Sequence, residues 1–291
     1  MAMNVFSTID NPTWAIELTE DNYIRKTGRD QRYVRQKGAQ RKARYALCPK
    51  CQGPIMLINY IIPQTETEVL YGKHVQYNVE GLANYSQHAY ENCPLKNPLR
   101  IDKGKRRAPG SAGARHLLEF IKQHLDIIFS TMEECTGIRF NKTARQHIVR
   151  NFAADKAWEY ESVSTNNTPY AFLYFSEAID LYGCRLVTKS KLNQEIRQCI
   201  DNSTDFRINI ERYSSITRSR NSGKSLRLFF SNHTVSGSEE NIKMHIVERD
   251  PSQGHDFYTT LLEKKVSFDQ AKFINTCGKR SQIQELAAQY L

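Results

Sequence analysis

The clearest hydrophobic period in the chain lies between residues 114 and 137. Leu117, Ile121, Leu125, Ile128 and Met132 recur at steps of four, four, three and four, with Gly137 behind them, which predicts an amphipathic helix closed by a glycine stop. "NKTARQHIVRNFAADKAW" predicts a second helix packed beside it, with Ile148, Val149 and Phe152 turned inward. From Thr168 the period shortens. "PYAFLYFS", "LYGCRLV", "DFRINIERY", "SLRLFFSN" and "NIKMHIVE" are rich in aromatic and β-branched residues, and several alternate, as in Phe206, Ile208, Ile210 and Ile242, Met244, Ile246. These runs predict an antiparallel sheet. The last segments, "SFDQAKFI" and "SQIQELAAQYL", each open Ser-x-x-Gln like a capping box and predict terminal helices. Upstream of the helix pair, "IMLINYIIPQTETEVLYGKHVQYNVEG" reads as strands divided by Pro and Gly turns.

Cysteine spacing adds chemistry to that upstream region. Cys48 and Cys51 form a C-x2-C knuckle, and His88 with Cys93 in "LANYSQHAYENCPLKN" gives H-x4-C after a long insert. Three soft thiolates and one imidazole close the tetrahedron of a structural zinc site, and four protein ligands leave no open position for catalysis. His74 is the alternative imidazole. A redox dithiol and a chance grouping are the competing readings, the first disfavoured because "QGPIMLINY" follows the pair as turn and strand rather than helix. The other cysteines, Cys135, Cys184, Cys199 and Cys277, sit in apolar surroundings and read as buried small hydrophobes.

"CPKC", the apolar strand behind it and "YSQHAYENCP" resemble the N-terminal Cys/His module of competence CoiA-like proteins and of bacterial zinc-ribbon proteins, over about residues 45 to 130. Those families place two histidines around an aromatic residue, whereas Tyr85 here precedes Ser86, Gln87 and His88. The resemblance implies a zinc ribbon, a bacterial or mobile-element origin, and a nuclease domain after the module. The fold class expected is α+β: an N-terminal zinc-ribbon-like module, a central helix pair and a C-terminal antiparallel sheet with terminal helices. The organisation expected is a basic N-terminal segment 1–44, the module 45–99, a basic linker 100–113 and an α+β domain 114–291.

Charge points to the partner. Lys and Arg number 41 against 31 Asp and Glu, a net charge of +10, and the excess is clustered. Arg29, Arg32, Arg35, Arg41, Lys42 and Arg44 crowd the first segment around Tyr33, Lys105, Arg106 and Arg107 occupy the linker, and Arg218, Arg220 and Lys224 mark a loop. Such runs suit phosphate neutralisation, which makes nucleic acid, DNA or RNA, the expected partner and a protein surface the alternative. Gly223-Lys224-Ser225 is no P-loop, because Arg218 stands where the partner glycine belongs. A metal-dependent nuclease would need clustered carboxylates and a lysine; Asp256, Glu263 and Lys265 are the weak catalytic candidates. No apolar run reaches the roughly 18 residues of a membrane helix, and the first residues lack a basic n-region with an apolar core, so a cytoplasmic setting without membrane contact is expected.

Overall fold

The computed structural model describes residues 3–28, 30–37, 41–62, 67–96, 99–211, 213–220, 223–236, 239–253 and 258–291. In chain order the elements are β1 (Val5–Thr8), β2 (Asn11–Glu17), α1 (Glu20–Thr27), β3 (Val34–Lys37), β4 (Arg41–Leu47), β5 (Pro54–Ile62), β6 (Thr67–His74), α2 (Gln87–Glu91), α3 (Ala112–Thr136), β7 (Ile138–Arg139) and α4 (Lys142–Ala154). Then come α5 (Thr168–Tyr174), β8 (Ile179–Asp180), β9 (Arg185–Leu186), α6 (Asn193–Asp201), β10 (Phe206–Asn209), β11 (Ser215–Arg218), β12 (Ser225–Ser236), β13 (Glu239–Arg249), β14 (Tyr258–Val266) and α7 (Gln270–Tyr290). The class is α+β with antiparallel sheets. Two units are distinguished: 1–100 with 235–240 and 269–291, and 101–234 with 241–268.

In the first unit, six strands form one sheet in the order β2-β1-β4-β5-β6, with β3 also paired to β4. The expected basic arm is therefore part of a sheet. Three tyrosines hold it there: the Tyr23 hydroxyl lies 3.1 and 3.0 Å from the carbonyl oxygens of Tyr33 and Tyr45, and Ile9 N–H donates to the Tyr33 hydroxyl at 2.9 Å. All three rings are buried, so Tyr33 is a core residue rather than a base-stacking one. Edge strand β2 is covered by α7, whose Asn275 amide accepts from Ala15 N–H and donates to Ala15 C=O, both at 2.8 Å, in the manner of another strand. The two terminal helices expected from sequence are this single helix. It starts at Asp269, whose carboxylate caps Lys272 N–H, and Ser281 lies inside it.

In the second unit α3 follows the predicted stripe, capped by Ser111 and stopped by Gly137 at φ 72°. The expected helix pair is a helix trio. "PYAFLYFS" is not a strand but α5, started by Pro169, and α3 and α4 both pack on it. Phe172 of α5 lies parallel to Phe152 of α4 with ring centroids 3.9 Å apart, and the ring of Phe129 on α3 is tilted against it at 6.3 Å. The remaining strands make two four-stranded sheets, β10-β11-β9-β7 and β14-β13-β12-β8, rather than one. The two units divide after Arg100, at the start of the basic stretch 100–113, and the stretch is itself tied into the second unit: Arg107 N–H donates to Glu159 C=O, and Glu161 N–H donates to Lys105 C=O.

Candidate metal centre and basic surface

Strand pairing assembles the cysteine group. Cys48 follows β4 and Cys51 sits in the turn into β5, closed by Gln52 N–H to Cys48 C=O at 2.8 Å and Cys48 N–H to Gly53 C=O at 2.9 Å. Gln52 takes the left-handed conformation that this tight turn requires, φ 56°. The β5–β6 hairpin then returns the chain to its start, with His74 opposite Ile55. Cys93 follows α2, its N–H donating to Tyr90 C=O, and the Tyr90 ring meets the His74 imidazole edge-on at 5.5 Å.

Cys48, Cys51, His74 and Cys93 present their donor atoms within 4.8 Å of one another, the one such group among the described residues, and could hold a metal ion. Cys48 and Cys93 Sγ are 3.6 Å apart, Cys51 Sγ lies 3.3 Å from His74 Nε2, and Cys93 Sγ lies 3.6 Å from it. Cys48 and Cys93 are buried, while Cys51 and His74 are partly exposed. Burial pushes the Cys48 thiol well up, whereas hydrogen bonds from Cys48 and Cys93 hold Cys51 far below the usual thiol range. Lys50, inside the knuckle, has its pKa lowered by burial, against the opposing charges of Cys277, Cys48 and Cys93.

His88 is corrected by this geometry. It lies on α2, outside the metal group, with its Nδ1 3.5 Å from Asn92 Nδ2. His74, the alternative imidazole, stands in its place. Among the other thiols, burial pushes Cys135 and Cys199 up to about 12 and Cys184 up to about 11, as inert core groups would be.

Six of the twelve clustered basic residues are engaged by groups of the protein itself. Arg32 pairs with Asp30 at 2.7 Å, Arg35 donates to Glu80 C=O, and Arg44 pairs with Glu20 at 2.6 Å over the Tyr23 ring. Arg106 lies over Tyr160, donating to its hydroxyl at 2.6 Å and to Asp155 C=O at 2.9 Å, and pairs with Glu159 at 3.3 Å. Arg107 spends its guanidinium on the carbonyls of Trp158, Tyr160, Glu161 and Val163. Lys224 is held by Glu248 at 2.9 Å, Asp205 at 3.3 Å and Asp250 at 3.9 Å. Lys42, Lys105, Arg218 and Arg220 are exposed, and Arg218 lies over the Tyr182 ring at 5.5 Å. Arg29 and Asp256 lie outside the described residues, as does the side chain of Arg41. Glu263 and Lys265 share one face of β14, and Glu263 is paired with Lys243 at 2.6 Å; among the described residues no carboxylate cluster forms there.

A basic surface arises instead where sequence clustering gives no signal. Register places Arg139 opposite Arg185, Arg185 opposite Ser215, Ser215 opposite Asn209 and Thr217 opposite Arg207, so all these side chains share one face of β7-β9-β11-β10. Ile138, Leu186, Ile216 and Ile208 fill the other. The three arginines are exposed; Arg139 pairs with Glu133 at 3.8 Å, while neither Arg185 nor Arg207 forms an ion pair among the described residues. Tyr213, 77% exposed, lies under the Arg185 guanidinium at 4.9 Å. Asn141 and Gly183, two residues from Arg139 and Arg185, line a neighbouring cleft of ≈ 460 Å³ with His147, Asp180, Tyr182 and Arg227.

No family model, no curated protein and no solved structure matches the chain. Among the described residues no helix is long and apolar enough to cross a membrane.

Proposed function

We propose that the protein is a zinc-stabilised nucleic-acid-binding protein. The arginine row Arg139–Arg185–Arg207 carries the binding half of this reading. Three guanidiniums on β7, β9 and β10, the last two separated by β11, spread over roughly 14 Å at ordinary strand spacing and match a row of phosphates better than they match a protein face. Tyr213, exposed and under the Arg185 guanidinium, supplies a stacking surface of the kind that single strands use without sequence preference. Single-stranded DNA or RNA is therefore the expected partner.

Zinc is the metal that suits the Cys48, Cys51, His74, Cys93 donor set, soft thiolates with one imidazole. Tetrahedral Zn–S bonds near 2.3 Å give ligand-to-ligand edges of about 3.8 Å. The separations of 3.3 to 3.6 Å between the donors are close to those edges. Three thiolates leave such a centre with one net negative charge, which Lys50 offsets. The ion would be structural, holding β4, the hairpin and the segment after α2 together. The resemblance to the CoiA-like module agrees with this role, while the nuclease it implies has no assembled carboxylate site among the described residues to support it.

Titrating the protein into fluorescent single-stranded DNA and RNA across salt concentrations tests the binding half. Affinity should fall with salt, and replacing Arg139, Arg185 and Arg207 together with alanine should flatten the log–log slope by about 2, given about 0.7 per neutralised single-strand phosphate. A slope unchanged in the triple variant, or no binding at low salt, contradicts the reading.

A further inference from the structure

The other four-stranded sheet of the second unit also has an open face, and its chemistry is different. Leu226, Leu228 and Phe230 of β12 and Ile242, Met244 and Ile246 of β13 point into the core. Alternation therefore sets Phe229, Ser231, Lys243, His245, Glu263 and Lys265 on the opposite side. His245 stands opposite Glu263 in register. Ser231 Oγ is 2.7 Å from His245 Nε2, Glu263 Oε2 is 3.4 Å from His245 Nδ1, and Lys243 Nζ fixes the other Glu263 oxygen at 2.6 Å. The Phe229 ring lies parallel to the imidazole, 6° between planes and 4.6 Å between centroids, and holds its orientation.

Each group is in the place its role needs. The carboxylate of Glu263, 3.4 Å from Nδ1, favours the tautomer with its proton on that nitrogen, and in that tautomer the free electron pair on Nε2 accepts from the Ser231 hydroxyl. The imidazole side chain is 12% exposed while Glu263 is 50% exposed, so the base is sheltered and its orienting carboxylate is not. Burial lowers the His245 pKa, with Glu263 opposing and Lys243 assisting, which favours the neutral form that a general base requires.

We propose that Ser231, His245 and Glu263 form a nucleophilic relay that cleaves carboxylic esters. Ser231 Oγ bonds to the ester carbonyl carbon as its proton passes to His245 Nε2. The C–O bond to the alcohol then breaks, and the alcohol leaves carrying that proton. Water, deprotonated by the same nitrogen, releases the acid and restores the serine. Lys243 and Lys265 give this face a positive field that favours the developing oxyanion. The relay is independent of metal and nucleic-acid binding.

The test treats full-length protein with a fluorophosphonate probe and, separately, with p-nitrophenyl acetate. Ser231 should be the modified residue by peptide mass spectrometry, and acetate release should exceed the buffer rate. Ser231→Ala should abolish labelling, and His245→Gln should slow labelling and turnover by about 100-fold or more, the ordinary worth of a general base. Ser225→Ala, on the same face of β12, should change neither, with circular dichroism confirming that each variant is folded. Absence of labelling at Ser231, or labelling undiminished in folded His245→Gln, overturns the proposal and reduces the arrangement to a cross-strand polar ladder.

Discussion

Cys48→Ser is expected to strip the metal from the protein and unfold much of the first unit. Cys48 is fully buried at the junction of β4 and the knuckle, so a serine there cannot recruit water as a replacement ligand. Its hydroxyl is not deprotonated near neutrality, and the remaining thiolates are left facing one another without the cation. Structural zinc contributes about 10–16 kcal/mol in small peptide modules. If only about 4 kcal/mol of that is expressed here, the melting temperature of the first unit falls by about 15 °C. Hydrogen exchange should localise the loss to the strands around residues 41–74, and a chelator should reproduce it on wild-type protein. Acid should do the same, because the thiolates must take up protons as the metal leaves. Full metal retention in Cys48→Ser would contradict the assignment.

Arg107→Ala should destabilise the second unit by about 3 kcal/mol, the value of charge-assisted hydrogen bonds together with carbonyls left wanting a donor. The planar fork reaches the carbonyls of Trp158 and Tyr160 through one nitrogen and those of Glu161 and Val163 through the other. Lysine, a single point donor, cannot span that set, so Arg107→Lys should recover little of the loss. Oligonucleotide affinity measured well below the melting temperature should be unchanged in both variants. An Arg107→Ala protein with normal melting and weak nucleic-acid binding would restore the surface role suggested by the charge of the segment.

These two residues mark what sequence could and could not convey. The knuckle was legible because C-x2-C fixes its own geometry, and α3 was legible because one face carries the stripe and Gly137 ends it. The imidazole was misassigned because H-x4-C is attractive on paper, yet α2 carries His88 away from Cys93. The usable signal was the hairpin: a chain leaving the knuckle along β5 and returning along β6 must end beside it, and His74 is that end. The segment of α5 reads as a strand because a helix buried from Thr168 to Leu173 shows no amphipathic period. Pro169 behind Asn167 and Thr168 was the available start signal. Basic clusters misled for a different reason. Charge density along the chain says nothing of what folds against it, so Arg106, Arg107 and Lys224 turned out to be internal staples. The arginine row, conversely, is assembled by strand register from residues far apart in sequence.

The metal content of His74→Ala, measured beside His88→Ala on untagged protein, tests the central claim most directly. One zinc per chain in wild type and His88→Ala, with zinc lost or bound far more weakly in His74→Ala, is the expected result. Zinc retained in His74→Ala and lost in His88→Ala, or no zinc in freshly reduced wild-type protein, would contradict the account.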